Sequence, residues 1–186
     1  SFPDYGKLAA PGRAALADVK RDLAPAAALV MYVVGVKGSY ALLVKPDGLV
    51  MRKISATSED LSGDVGDLRK AFVPTLGRVA PFSLKSSYAL YGKLIAPFEA
   101  DLSNTKMLTV VPSPELANLP FALLVSAAPT ANESYGDAAR LIQRMAVSNV
   151  PSPRAFLALA SAVRNPAPDP ILAFGAPDFT GNGGAA

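Results

Sequence analysis

The sequence contains no histidine and no cysteine among its 186 residues. Without histidine the chain lacks the commonest general base, and without cysteine it lacks a thiolate nucleophile and any disulfide. Zinc, haem and thiolate centres are therefore excluded from this chain alone, as is Ser-His-Asp or Cys-His catalysis. We expect no catalytic residue, no metal site and no cofactor in it.

Charge is sparse and nearly balanced. The chain has 18 Lys and Arg against 15 Asp and Glu, a net charge of +3, and only 18% charged residues. No basic run with interleaved aromatic residues occurs, so nucleic-acid binding is not expected. The longest apolar run, near residues 26–36, contains Gly35 and falls short of the ~18 residues that a membrane helix needs. With no signal peptide either, we expect a cytoplasmic protein whose partners are proteins.

What the chain does have is enough apolar residues, 51%, to build one domain with a sizeable core. Three β-branched and aromatic segments in its first third predict an antiparallel meander: Leu29–Val36, Tyr40–Val44 and Leu49–Ile54. The first is apolar on both faces and predicts an interior strand. Turns at Lys37-Gly38 and Pro46–Gly48 connect the three.

Four segments have helical patterns. A short helix is predicted over Leu16–Leu23, and Ser152-Pro153 predicts the start of another over Arg154–Arg164. Between them, Ser58 is predicted to cap a helix with an apolar stripe from Leu61 to Phe72. A second stripe runs from Leu84 to Phe98 and should end or kink at Pro97; its aromatic residues are more typical of a core than of a ligand site.

The helix after Ser58 carries Asp60, Asp64 and Asp67. A functional interpretation makes these carboxylates a cation site. A solvated helix face is the favoured interpretation, because hard cations require oxygen ligands that converge from a loop.

The second half of the sequence predicts parallel strands. Met107–Val111 is apolar without alternation, as in a strand covered on both faces, and Ser113-Pro114 predicts a capped turn after it. An extended segment, Ala146–Val150, then the helix after Ser152, then a short strand, Ile171–Phe174, form a candidate right-handed crossover. The fold class is therefore α/β.

The end of a strand in such a sheet is the usual ligand position, here residues 175–179. The glycine-rich tail beyond them has no following helix, so disorder is favoured over phosphate binding. Four serines could be considered as nucleophiles, but none has a histidine to activate it: Ser113, Ser126, Ser152 and Ser161.

Six segments, in order along the chain, resemble the landmarks of the CHAT domain, a caspase-like module found fused to tetratricopeptide repeats. Among them, Leu119-Pro120-Phe121-Ala122 is similar to the family's LPFA segment and Leu172–Phe179 to its LLAFGDPDF segment. Ser113-Pro114 departs from the family's usual Asp-Gly. The complete set is Phe2–Pro11, Ala27–Tyr32, Leu90–Pro97, Leu108–Leu124, Val147–Ser152 and Leu172–Phe179.

The resemblance implies a fold and a division of the chain. An antiparallel meander plus helices leads into the first strands of a caspase-like mixed or parallel sheet. Residues 1–12 would be a lead-in from an upstream region, 13–150 the amino-terminal non-catalytic lobe, 151–180 the start of the caspase-like core and 181–186 a flexible tail. The implied partners are the remainder of the CHAT domain, upstream helical repeats and a protein substrate or partner protein.

The resemblance also implies an activity for the parent protein, cysteine endopeptidase, in which a histidine assists a thiolate. The family's histidine and cysteine segments follow the landmark at which this chain stops, so we expect an amino-terminal, pre-catalytic portion. Asp178 and Phe179 could border the substrate cleft, with an ordinary turn as the alternative. Two other hypotheses stay open: a non-enzymatic protein-interaction module, and a generic small-molecule binding domain, which lacks a fingerprint.

Overall fold

The computed structural model describes residues 14–73, 78, 80–130 and 133–161. Several predictions fall on residues outside those ranges. They are the lead-in over 1–12, the strand Ile171–Phe174, the cleft residues Asp178 and Phe179, and the tail over 181–186.

A five-stranded mixed sheet organises the described chain, in the order β3-β2-β1-β4-β5. The strands are β1 (Ala27–Val33), β2 (Ser39–Lys45), β3 (Gly48–Ile54), β4 (Met107–Val111) and β5 (Ala146–Asn149). The first three pair antiparallel, whereas β4 pairs parallel with both β1 and β5. The predicted α/β class, with a meander that leads into parallel strands, is confirmed.

Four α-helices among the described residues flank the sheet. They are α1 (Leu16–Asp22), α2 (Ser58–Arg69), α3 (Leu84–Leu94) and α4 (Pro153–Ser161). Helix α3 ends before Pro97, as the missing amide hydrogen of proline requires, and a single 3₁₀ turn follows over Ala96–Phe98. None of the helices within the described ranges is long and apolar enough to cross a membrane.

Strand β1 lies at the centre of the sheet, as its apolar sequence predicted. Ala28, Leu29 and Val30 are each at most 1% exposed, because side chains that point to either face are covered. Alternate residues of the strands therefore enter two separate cores.

The larger core lies between the sheet and helices α2 and α3. It contains Tyr32 and Phe121, whose rings stack with centroids 5.6 Å apart, and the buried residues Leu61, Val65 and Leu68 of α2. The smaller core lies on the opposite face, below α1 and α4. It consists of Val19, Leu23, Ala27, Leu29, Val44, Val111, Val150 and Ala155.

The start of α2 differs from the prediction. Thr57, not Ser58, is the N-cap: its Oγ1 accepts from the Asp60 amide at 3.3 Å, and Asp60 Oδ2 accepts from the Thr57 amide at 2.8 Å. This reciprocal pair satisfies two amides at once, which leaves Ser58 as the first helical residue. At the other end, Phe72 is 47% exposed because α2 stops at Arg69 and a 3₁₀ turn turns the chain away from the core.

One further local prediction needs correction. Ser113 precedes a 3₁₀ turn over Pro114–Leu116, but its side chain makes no capping hydrogen bond. Before β5 the chain forms only a 3₁₀ turn, at Leu141–Gln143. The chain cannot continue as a helix there, because the Ala146 amide already donates to the Lys106 carbonyl as β5 begins.

Candidate functional site at the carboxyl edge of the parallel strands

The carboxyl ends of β1, β4 and β5 meet at one edge of the sheet, because these three strands are parallel. Ligands of open α/β sheets bind at this edge. The predicted cleft residues Asp178 and Phe179 lie outside the described residues, so their relation to the edge stays a prediction. What the structure does place there is the polar loop after β4 and the start of α2.

Ser58 and Glu115 connect these two elements. The Ser58 hydroxyl donates to Glu115 Oε1 at 2.7 Å, across the loop that follows β4. The Ser58 amide donates to the Gly35 carbonyl, after β1, at 3.2 Å. The first residue of α2 therefore fixes the loops that follow both β1 and β4. Sequence reasoning missed this role because it assigned Ser58 to capping.

Glu115 is ionised in this setting. The hydrogen bond from Ser58, then a backbone amide, and then the nearby Ser113 hydroxyl hold the pKa of the Glu115 carboxyl below its usual range. The other carboxylate oxygen, Oε2, and the Ser113 Oγ are both buried without a well-formed hydrogen bond to any described residue. Ser113 itself is only 7% exposed.

The Ser113–Glu115 pair is not arranged for nucleophilic catalysis. A carboxylate whose pKa is lowered is a weak base, and no imidazole stands between it and the serine hydroxyl. The hydrogen bond from Ser58 to Glu115, by contrast, joins the loop after β4 to the start of α2. Ser152 has the capping role predicted for it, since its Oγ accepts from the Ala155 amide at 3.1 Å.

A second polar cluster lies on α3 and the segments that follow. Arg144 Nη1 donates to the Tyr91 hydroxyl at 2.8 Å and lies 2.6 Å from Glu99 Oε1. The Tyr91 hydroxyl in turn donates to Glu99 Oε2. Burial, and then the adjacent Glu99 carboxylate, raise the pKa of Tyr91 to about 12. This closed triangle joins α3 to the segment that precedes β5.

Sequence reasoning placed Tyr91 in the core and did not foresee its polar partners. The ring is buried, as expected, at 3% exposed. Arg144 lies in a different part of the chain, and no local pattern relates it to α3. Only the tertiary fold brings the guanidinium to the phenol.

The aspartates of α2 are engaged separately. Asp60 belongs to the capping box, Asp64 Oδ2 lies 2.5 Å from Lys93 Nζ, and Asp67 Oδ1 lies 2.6 Å from Lys70 Nζ. Each carboxylate thus has its own partner. Across the part of the chain that the structure describes, no group of three or more acidic residues converges as metal ligands would.

Comparison with known proteins gives one family. The family model of the CHAT domain matches residues 84–185, more than half of the chain. The match begins at α3 and includes β4, β5 and α4, and therefore Glu115 and Arg144, whereas Ser58 precedes it. No curated protein matches the chain with significant similarity. The chain belongs to the CHAT-domain family.

Proposed function

We propose that this CHAT-domain chain is the amino-terminal, non-catalytic lobe of a caspase-like cysteine endopeptidase. One observation carries the proposal. The CHAT-domain family model matches residues 84–185, while the sequence contains neither histidine nor cysteine, and Ser58 and Glu115 at the carboxyl edge of the sheet join loops instead of forming a nucleophile and its base. The catalytic histidine and cysteine would be contributed by sequence beyond this chain.

In this proposal the lobe acts as a scaffold. The parallel strands β4 and β5 would continue the sheet towards the catalytic part, and the loop held by Ser58 and Glu115 would support that junction. The chemistry itself, attack of a thiolate on a peptide carbonyl with a histidine as proton acceptor, would belong to the other part. Asp178 and Phe179 keep their proposed position at the border of the substrate cleft.

The test begins with the gene. We expect its open reading frame to encode a histidine followed by a cysteine after residue 186. The full-length protein should be labelled by a thiol-directed peptidyl chloromethyl ketone and should cleave a mixed library of fluorogenic peptides, whereas the 186-residue chain should do neither. A full-length protein with no labelling and no cleavage would overturn the proposal.

The matched controls use the full-length protein. Replacing the downstream cysteine by alanine should abolish labelling and cleavage. The variant Glu115→Gln should retain labelling of the cysteine but slow cleavage, because it weakens the loop without touching the thiolate. An unchanged cleavage rate in Glu115→Gln would show that this loop does not support the proposed junction.

A non-enzymatic protein-interaction module is the second candidate. This candidate is favoured because the described residues form two hydrophobic cores with their own side chains, as an independently folded module would. In that case the open reading frame would lack the histidine and cysteine segments. The purified 186-residue chain would then be folded, with a cooperative thermal transition, and would be inert towards the thiol-directed probe.

A further inference from the structure

An apolar surface on the meander, which we term the open face, is only partly covered by the described elements. Met31 and Leu42 are half-buried, and Met31 packs against the smaller core. Strand register aligns its side chains in cross-strand rows, with Met31 beside Leu42 and Leu42 beside Met51, and Val33 beside Tyr40. All of them point to the face of the sheet that carries α1 and α4. The open face consists of Met31, Val33, Tyr40, Leu42, Leu49 and Met51.

Its exposure is high for side chains of this kind. Val33 is 51% exposed, Tyr40 43%, Leu49 45% and Met51 61%. In the row that includes Leu49, the neighbouring Val44 is only 6% exposed, because it belongs to the core below α1. The core below α1 therefore buries Val44 but leaves Leu49, its neighbour on the same face of the sheet, exposed.

The dimensions of the open face suit one helix. Adjacent strands lie about 4.8 Å apart and successive same-face residues about 6.8 Å apart, so the six residues lie within an area of about 10 Å by 14 Å. Leu29 and Val44 occupy the covered part of that area. An α-helix is about 10 Å wide and rises about 5.4 Å per turn, so about three turns would cover the surface. Helices on both faces are the usual architecture of α/β sheets, and the helices within the described ranges leave the second layer incomplete over β2 and β3.

One end of the open face is basic. Lys53 occupies the row of Val33 and Tyr40, and Lys37 lies in the adjoining turn between β1 and β2. The ion pairs formed among the described residues include neither lysine. A ligand with carboxylates at this end would be electrostatically favoured, and one with ammonium groups would be repelled.

We propose that the open face binds an amphipathic helix of a partner protein. The apolar stripe of that helix would lie across Met31, Leu42 and Met51, and its acidic side chains would lie beside Lys37 and Lys53. A second copy of the chain is a poorer occupant. A second copy would bring its own Lys37 and Lys53 to the contact, and these like charges would repel. The inference is independent of the proposed peptidase function.

Methionine methyl groups provide the test. The chain has four methionines. Met31 and Met51 lie on the open face, whereas Met145 is 4% exposed in the larger core. Chain labelled with ¹³C-methyl methionine would be titrated with a 14-residue helical peptide that has leucines at helical spacing and flanking glutamates. A matched peptide would have lysine at every glutamate position.

We expect the glutamate peptide to shift the Met31 and Met51 resonances and to leave Met145 unmoved. The lysine peptide should bind at least about fivefold more weakly than the glutamate peptide. The substitution Lys53→Glu should lower the affinity of the chain for the glutamate peptide by a similar factor. Met51→Glu should abolish binding. The matched control is Leu159→Glu, at a residue of α4 that is 55% exposed, and it should bind like the wild type.

Three results would overturn the proposal. The first is no shift of Met31 and Met51 with the glutamate peptide, which would mean that other residues of the chain already cover the surface. The second is equal binding of the two peptides, with no effect of Lys53→Glu. The third is a shift of both resonances with protein concentration alone, which would indicate self-association. An unchanged Met145 resonance and thermal transition establish that each variant is folded.

Discussion

The two faces of the sheet are made by the same strands but are covered to different extents. On one face α2, α3 and several 3₁₀ turns close a core that includes Phe98 and Phe121, each 1% exposed. On the other face α1 and α4 cover a smaller core, and the described residues leave much of the open face of the meander exposed. Alternation along a strand thus divides its residues between one face that the described helices cover more fully and one that they cover in part.

The larger core should be the more sensitive face. Phe121→Ala removes a ring that stacks on Tyr32 and should lower the free energy of unfolding by about 3–5 kcal/mol, since a cavity remains in a closed core. Urea denaturation followed by circular dichroism measures this. Val65→Ala, in the larger core, and Val19→Ala, in the smaller core, are the matched comparison because each valine is 4% exposed, and we expect Val19→Ala to cost less. An equal loss in the two valine variants would mean that the faces do not differ.

The capping box of α2 contributes to closing the larger core. Thr57→Ala removes the hydroxyl that accepts from the Asp60 amide, and we expect a loss of about 1 kcal/mol in the free energy of unfolding. Ser55→Ala, two residues earlier and exposed, is the control and should change the stability little. If both variants unfold alike, the reciprocal hydrogen bonds do not stabilise the helix.

Alkaline pH should destabilise the same face through Tyr91. The pKa of Tyr91 is raised to about 12 in the folded chain, from the usual value of about 10. The contribution of Tyr91 to the free energy of unfolding is therefore complete below pH 10 and is lost as the pH rises towards 12. Burial also raises the pKa of Tyr32. Thermal unfolding between pH 9 and 11.5 should therefore show a fall in Tm that is shallower in Tyr91→Phe than in the wild type. Parallel curves for the two proteins would contradict this.

The smallest effect is expected on the open face. Met51→Ser should change the free energy of unfolding by no more than about 0.5 kcal/mol, because the side chain is 61% exposed and few contacts are lost. Urea denaturation of Met51→Ser and Phe121→Ala under the same conditions should give the smallest and the largest loss in the free energy of unfolding among these variants. A loss above about 2 kcal/mol would show that Met51 is covered in solution.

The meander and the buried strand β4 were predictable from sequence, because apolar β-branched runs between turn residues determine them locally. The cap of α2 was assigned one residue late, since Thr57 and Ser58 are both good caps and only the return bond from Asp60 distinguishes them. The Ser58–Glu115 contact and the Tyr91–Glu99–Arg144 cluster were not predictable. Each joins residues distant in sequence, and their proximity depends on the packing of the helices on the sheet.

The position of β1 has a consequence for how the chain acquires its structure. Its antiparallel neighbour β2 follows after a short turn. Its parallel neighbour β4 comes much later in the chain, after β2, β3 and helices α2 and α3. Closing a long loop costs more chain entropy than closing a short one, and non-local pairing slows folding. We therefore expect the meander to form first, during synthesis, and to serve as the template on which β4 and then β5 are added.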